Sequence, residues 1–232
     1  MASSSTGDMK HEDRVFEERQ IAFEPVPVTT APVPAPMTPA NPATLGYFSL
    51  ATTTLMVGLL VIQARGVPAL TMLVGQVLAV GGLGMLISGL MCYQQGATFA
   101  TTAFGMYGLF YISFGIVLWP SSGANAGYTN PVDNNNALGL YLITWFALSL
   151  VMWPVTWRLN IGLAVLFTLV VFYFLFLAIG FMSGKTVIIT IGGYFGILVG
   201  SWGYILGMET LYATENNIFK LPNPSLAPKP RH

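Results

Sequence analysis

From Leu45 to Tyr212 the chain runs through six apolar stretches joined by polar segments, at residues 45–64, 69–93, 98–119, 137–157, 160–182 and 186–212. Each has roughly the 20 residues that an α-helix needs to cross the hydrocarbon core of a bilayer. Between Arg65 and Arg158 the only charged residue is Asp133. A domain surrounded by water does not leave so much surface uncharged. Hydrocarbon offers backbone groups no partners, so a spanning segment is either a helix or a strand of a closed barrel, and stretches this long predict helices. The pattern predicts an all-α polytopic membrane protein with six transmembrane helices.

Composition agrees. Of all residues 54% are hydrophobic and 8% charged, against about 25% charged in an average soluble protein. Lysine plus arginine equals aspartate plus glutamate at nine each, a balance that points to no nucleic acid and no acidic partner. Six spans put both ends of the chain on one side. Placing that side in the cytoplasm gives it Lys10, Arg14, Arg19, Arg158, Lys220, Lys229 and Arg231 and leaves Arg65 and Lys185 outside, the direction of the positive-inside rule.

The ends follow another pattern. Residues 1–40 mix both charge signs between Lys10 and Glu24 and continue as a proline-rich run over 24–40. Such a segment cannot bury enough apolar surface to fold alone, and it lacks the basic start and early apolar run of a signal peptide. The expected organisation is a disordered acidic and proline-rich cytoplasmic tail over 1–40, a six-helix transmembrane domain over 41–212 and a short tail over 213–232. The longest joint, 120–136, gathers turn-forming Gly, Pro and Asn residues and is expected as an external loop.

Little conventional chemistry is visible. Cys92 is the only cysteine, which excludes an intramolecular disulfide and a cysteine-rich metal site. His11 and His232 lie in the tails without partners at metal-ligand spacing. No metal, no cofactor and no catalytic constellation is expected, and therefore no enzyme. Small residues recur instead: Gly75 and Ala79, then Gly84 and Ser88, in the second span, and Gly192, Gly196 and Gly200, then Gly203 and Gly207, in the sixth. Such stripes let helix backbones approach closely. Thr98 and Thr102 share a face of the third span, with Gly105 opening space beside it. Their hydroxyls could replace water around a small polar solute or bond back to the helix's own carbonyls. Glu209 is the carboxylate placed within a span; it is a candidate for proton coupling, or reaches the interface from near the helix end.

Two stretches carry a family resemblance. From Asn41 the chain reads NPATLGYFSLATTT, which is similar to the NPAPLG signature of the acetate uptake transporter family of bacteria and fungi. The third span supplies Gly96, Thr98, Phe99, Thr102, Ala103, Phe104, Tyr107, Gly108 and Phe110 of that family's pattern G-N-T-F-G-x-T-A-F-x-x-Y-G-x-F, and FLAIG at 176–180 is a weaker echo. The resemblance implies six helices per protomer, a homo-hexamer in the lipid bilayer, and a path through each protomer for acetate or another short monocarboxylate with a proton. Some fungal members are linked instead to ammonium export. The plasma membrane is the expected location, because PKPRH is neither a retrieval nor a peroxisomal signal.

The same resemblance suggests site residues. Asn41 and Pro42 stand at the entrance, where a helix N-terminus favours an anion, although Asn41 can equally serve as a helix cap. Thr98 and Thr102 offer hydroxyls to the cargo. Leu50, where phenylalanine is usual, Tyr107 and Val170 form a hydrophobic gate that closes by dewetting. Several positions depart from the family pattern. Thr44 replaces the second proline of the signature and Tyr47 a usual leucine; Ala97 and Ala100 replace an asparagine and a glycine; Met85 and Cys92 stand where many members have glutamine and glutamate. These departures bear on cargo and coupling more than on fold. The alternatives are an ammonium exporter and a non-transporting membrane scaffold or regulator that keeps the fold.

Overall fold

The computed structural model describes residues 40–68, 70–214 and 222–226. The expected tail over 1–40 lies outside the described residues apart from Ala40, as does most of 213–232. Six helices follow in order: α1 (Ala43–Val61), α2 (Leu73–Gln94), α3 (Thr98–Leu118), α4 (Pro131–Thr156), α5 (Ile161–Ser183) and α6 (Thr186–Thr214). All six are long and apolar enough to span a membrane. Among the described residues the only β pairing is an isolated bridge between Asn160 and Ser225. Leu83, Leu90, Val151 and Leu198 are exposed on these helices, as side chains are where lipid is the solvent.

One boundary differs from the expected one. α4 begins at Pro131, not at 137, so the last residues of the expected loop 120–136 are helical. The cause is local: the Asn130 side chain accepts a hydrogen bond from the Val132 amide at 2.9 Å, Pro131 presets the first helical turn, and Asp133 faces the positive end of the helix dipole.

From Gly196 to Gly207 the glycine stripe of α6 packs closely against α1. A Cβ added at Gly196, Gly200, Gly203 or Gly207 would meet Gly58, Leu55, Ala51 and Phe48 respectively. One sequence rises as the other falls, so the two helices are antiparallel. By contrast α3 and α5 run alongside α1. Tyr47 meets Phe104 while Thr54 meets Tyr111, and Phe99 meets Phe167 while Phe110 meets Phe174. α1, α3 and α5 therefore start on one side of the membrane and α2, α4 and α6 end there.

α2 has a wide-turn segment, wound as a π-helix over Gln76–Gly84. Three glycines let it lie against both neighbours: a Cβ at Gly81 would meet Thr53 of α1 and Tyr111 of α3, one at Gly82 would meet Ile112 of α3, and one at Gly84 would meet Ser49 of α1. Gln76 reaches across and donates from Nε2 to the Thr52 carbonyl at 2.8 Å. At the other end Ser88 donates to the Pro42 carbonyl at 2.8 Å, tying the last turns of α2 to the start of α1.

Sidedness has a direct test. Cys92 is 2% exposed, so the wild-type chain should give little background with an impermeant thiol reagent. With the chain ends cytoplasmic, Ser122→Cys should label in intact cells and Ser4→Cys should not. The reverse pattern would invert the orientation.

Candidate functional site

The inward faces of α1, α3 and α5 line a partly open cavity of about 60 Å³, room for a few water molecules at about 10–15 Å³ each. Leu50, Tyr107 and Val170 all line it. The contacts across the helices put them at one level. Tyr47 with Phe104 and Thr54 with Tyr111 bracket Leu50 beside Tyr107. Phe167 and Phe174 flank the Tyr107 ring at 6.1 and 6.3 Å, which sets Val170 level with it. Tyr47, Phe99, Phe104, Leu163 and Phe167 line the part of the cavity nearer the helix starts, while Met85 of α2 and Val199 of α6 complete the wall.

The wall is almost all hydrocarbon and aromatic ring, and its hydroxyls are mostly engaged. Tyr107 shares a 2.8 Å hydrogen bond with Ser149 of α4. The Ser149 hydroxyl has one proton and donates it to the Trp145 carbonyl at 2.7 Å, so Tyr107 is the donor. The same logic holds one turn on. Thr54 donates to the Leu50 carbonyl at 2.7 Å, leaving Tyr111 to donate to the Thr54 oxygen. Tyr173 also lines the cavity and is buried, and among the described residues its hydroxyl has no hydrogen-bond partner.

Of the positions named as departures, Tyr47, Leu50, Met85 and Ala100 fall on this wall, and Thr44, Ala97 and Cys92 do not. Met85 is fully buried and lines the cavity, so it presents a thioether to that wall. Tyr47 brings a phenol to the end nearer the helix starts. Cys92 is packed out of the cavity among buried residues.

The other expected site residues lie at or near the ends of the helices on the side where α1, α3 and α5 begin. Asn41 is exposed, and its Oδ1 accepts from the Ala43 amide at 3.0 Å. Pro42 is buried beneath Ser88. Thr98 and Thr102 are exposed on the first turns of α3, and Thr102 donates to the Thr98 carbonyl at 2.9 Å. None of these four lines the cavity. Glu209, in the last turns of α6, accepts from Nδ2 of Asn223 at 3.1 Å. Asn223 also accepts from the Gly162 amide at 3.0 Å. Residues 222–226 thereby clasp the start of α5, with Leu226 N donating to the Leu159 carbonyl at 3.0 Å. Local spacing did not reveal Ser149 or Asn223. Thr54, Tyr111 and Tyr173 carried one signal, a position three or four residues beyond each expected gate residue.

Six helices able to span a membrane, with an uncharged cavity among them, define an integral membrane protein of the helical-bundle class. Residues 23–228 match the GPR1/FUN34/yaaH family. The chain belongs to that family, and the resemblance carried by its first and third spans is confirmed. Over 170 residues it is 31% identical to the succinate-acetate/proton symporter SatP of Escherichia coli, covering 73% of this chain and 87% of that one. It is 33% identical over 165 residues to ammonia transport outward protein 3 of Saccharomyces cerevisiae, covering 71% of this chain. That match spans only 60% of the yeast protein's length, and another fungal relative is spanned over 62%. Among solved structures, the bacterial acetate channel SatP superposes with a TM-score of 0.69 at 28% identity, over 80% of this chain and 99% of that one. These relatives are transporters and channels, not enzymes.

Proposed function

We propose that the protein carries acetate or another short monocarboxylate across the plasma membrane through the cavity between α1, α3 and α5, together with a proton. The observation that supports this reading is the ring of Leu50, Tyr107 and Val170 at one level of a cavity sized for a small solute. Such a ring excludes water and hydrated ions by dewetting. Among the described residues no cation lines the cavity, and burying a bare carboxylate among apolar walls costs far more than burying its neutral acid. Passage with a proton removes that cost. Asn41, Pro42, Thr98 and Thr102 are proposed as the mouth, where the starts of α1 and α3 present amide dipoles to an approaching anion. Glu209, at the same side, is the proposed site of proton exchange, and a homo-hexamer is the proposed assembly.

A second reading is supported by the name of the yeast relative, an ammonia export protein. One experiment separates the two. Purified protein in liposomes should take up radiolabelled acetate faster with an inward proton gradient than without it, and propionate and formate should compete. Labelled methylammonium flux without acetate uptake would establish the ammonium reading. Flux of neither would favour a non-transporting scaffold.

A further inference from the structure

A second layer of side chains stands one helical turn beyond the gate ring. Thr54, Tyr111 and Tyr173 follow Leu50, Tyr107 and Val170 by four, four and three residues on the same three parallel helices, and all line the cavity. The gate ring presents hydrocarbon and a tyrosine whose proton is committed to Ser149. The next layer brings three hydroxyls together. Two of them pair with each other, Tyr111 donating to Thr54. The third, on Tyr173, has no partner among the described residues, although the side chain is only 4% exposed. It is also held in place. A Cβ added at Gly196 would lie 2.9 Å from its Cε2, so the ring is wedged against α6. Among the described residues the fully buried side-chain oxygens without a partner are those of Thr53 and Thr101; the Tyr173 hydroxyl instead belongs to a residue that lines the cavity, and the cavity is the space it has to bond into.

We propose that Thr54, Tyr111 and Tyr173 form a hydrogen-bonding station for the carboxyl group of the cargo, with Tyr173 the residue that sets affinity. The proposal rests on the monocarboxylate reading above. Cargo squeezing through the gate ring loses its water, and a phenol, both donor and acceptor, replaces one of the lost bonds just beyond it. Tyr111 can supply a second: its hydroxyl rotates off Thr54, whose own proton stays on the Leu50 carbonyl. Two phenols then meet the two oxygens of one carboxyl group while a short alkyl end rests against Leu50 and Val170. The chemistry selects a carboxyl on a small apolar body.

Tyr173→Phe tests this cleanly, because it keeps the ring wedged at Gly196 and removes only the oxygen. In proteoliposomes the half-saturation concentration for acetate should rise about tenfold, as for loss of one hydrogen bond to a charged or strongly polar group, with the maximal rate little changed. Without ligand, the melting temperature of the purified variant should equal or exceed that of the wild type, and the stabilisation that acetate gives should shrink. Unchanged half-saturation beside intact wild-type uptake would overturn the station and leave the monocarboxylate reading standing. A fall in ligand-free stability would also overturn it, by making the hydroxyl a structural group. Wild-type protein that neither takes up carboxylates nor is stabilised by acetate would overturn both.

Discussion

Gly58→Leu should abolish the folded protein. A Cβ at Gly58 would sit 2.7 Å from the Ile197 amide nitrogen and 2.8 Å from the Gly193 carbonyl oxygen. Both are backbone atoms of α6, so no side chain can rotate to make room. Even Gly58→Ala forces α1 off the stripe that runs from Gly196 to Gly207, and overpacking of this kind costs about 1–3 kcal/mol where the surroundings can relax. Leucine adds three more carbons to the same place. After extraction in mild detergent, Gly58→Ala should melt at a lower temperature than wild type, and Gly58→Leu should give no monodisperse peak on size exclusion. Gly105 is the control, since a Cβ there meets nothing within 4 Å. Gly105→Ala should hold stability or raise it by about 0.5–1 kcal/mol, through the lower chain entropy of alanine. Equal behaviour of Gly58→Leu and wild type would mean that α1 and α6 do not pack on these glycines.

Tyr107→Ala should trade stability for a wider path. The ring lies between Phe167 and Phe174 and its hydroxyl bonds Ser149 at 2.8 Å, so truncation removes a large core contact at about 3–5 kcal/mol. Ser149 keeps its bond to the Trp145 carbonyl, which limits the loss. The space released opens at the level of Leu50 and Val170, the ring proposed to exclude longer acyl chains. A site that discriminates one methylene by size gives roughly tenfold selectivity or more, and the variant should surrender that much of its preference for acetate over butyrate. Proteoliposomes matched for folded protein measure the ratio. An unchanged ratio would remove Tyr107 from the gate and leave it as packing.

How far the fold could be read in advance depended on which constraint acted on each residue. The bilayer dictates length and polarity, so the spans stood out in the pattern of apolar residues, and Arg65 and Arg158 fell in the joints. The start of α4 was hidden because Asn and Pro signal turns and helix caps alike; Asn130 and Pro131 are doing the second job. The α6 glycines announced close packing, but spacing alone does not say which helix they meet. The gate came from a motif, which carries information about a family that local physics does not. The unpaired Tyr173 hydroxyl was out of reach, because whether a side chain finds a partner depends on helices far away in sequence. Thr102 had two readings, a solute ligand or a bond to its own helix, and its hydroxyl makes the second bond.

The clasp made by residue 223 has a consequence for biogenesis. Asn223 bridges the amide of Gly162 and the carboxylate of Glu209, yet it is synthesised after both. While the ribosome is still producing α6, the first turn of α5 has Asn160 to cap Leu163 but lacks Asn223 for Gly162. The seam between the start of α5 and the end of α6 therefore cannot close through Asn223 until the chain has been made past α6. A chain that stalls within α6 leaves this corner of the bundle unlatched, which gives quality control a defect it can recognise at the membrane surface.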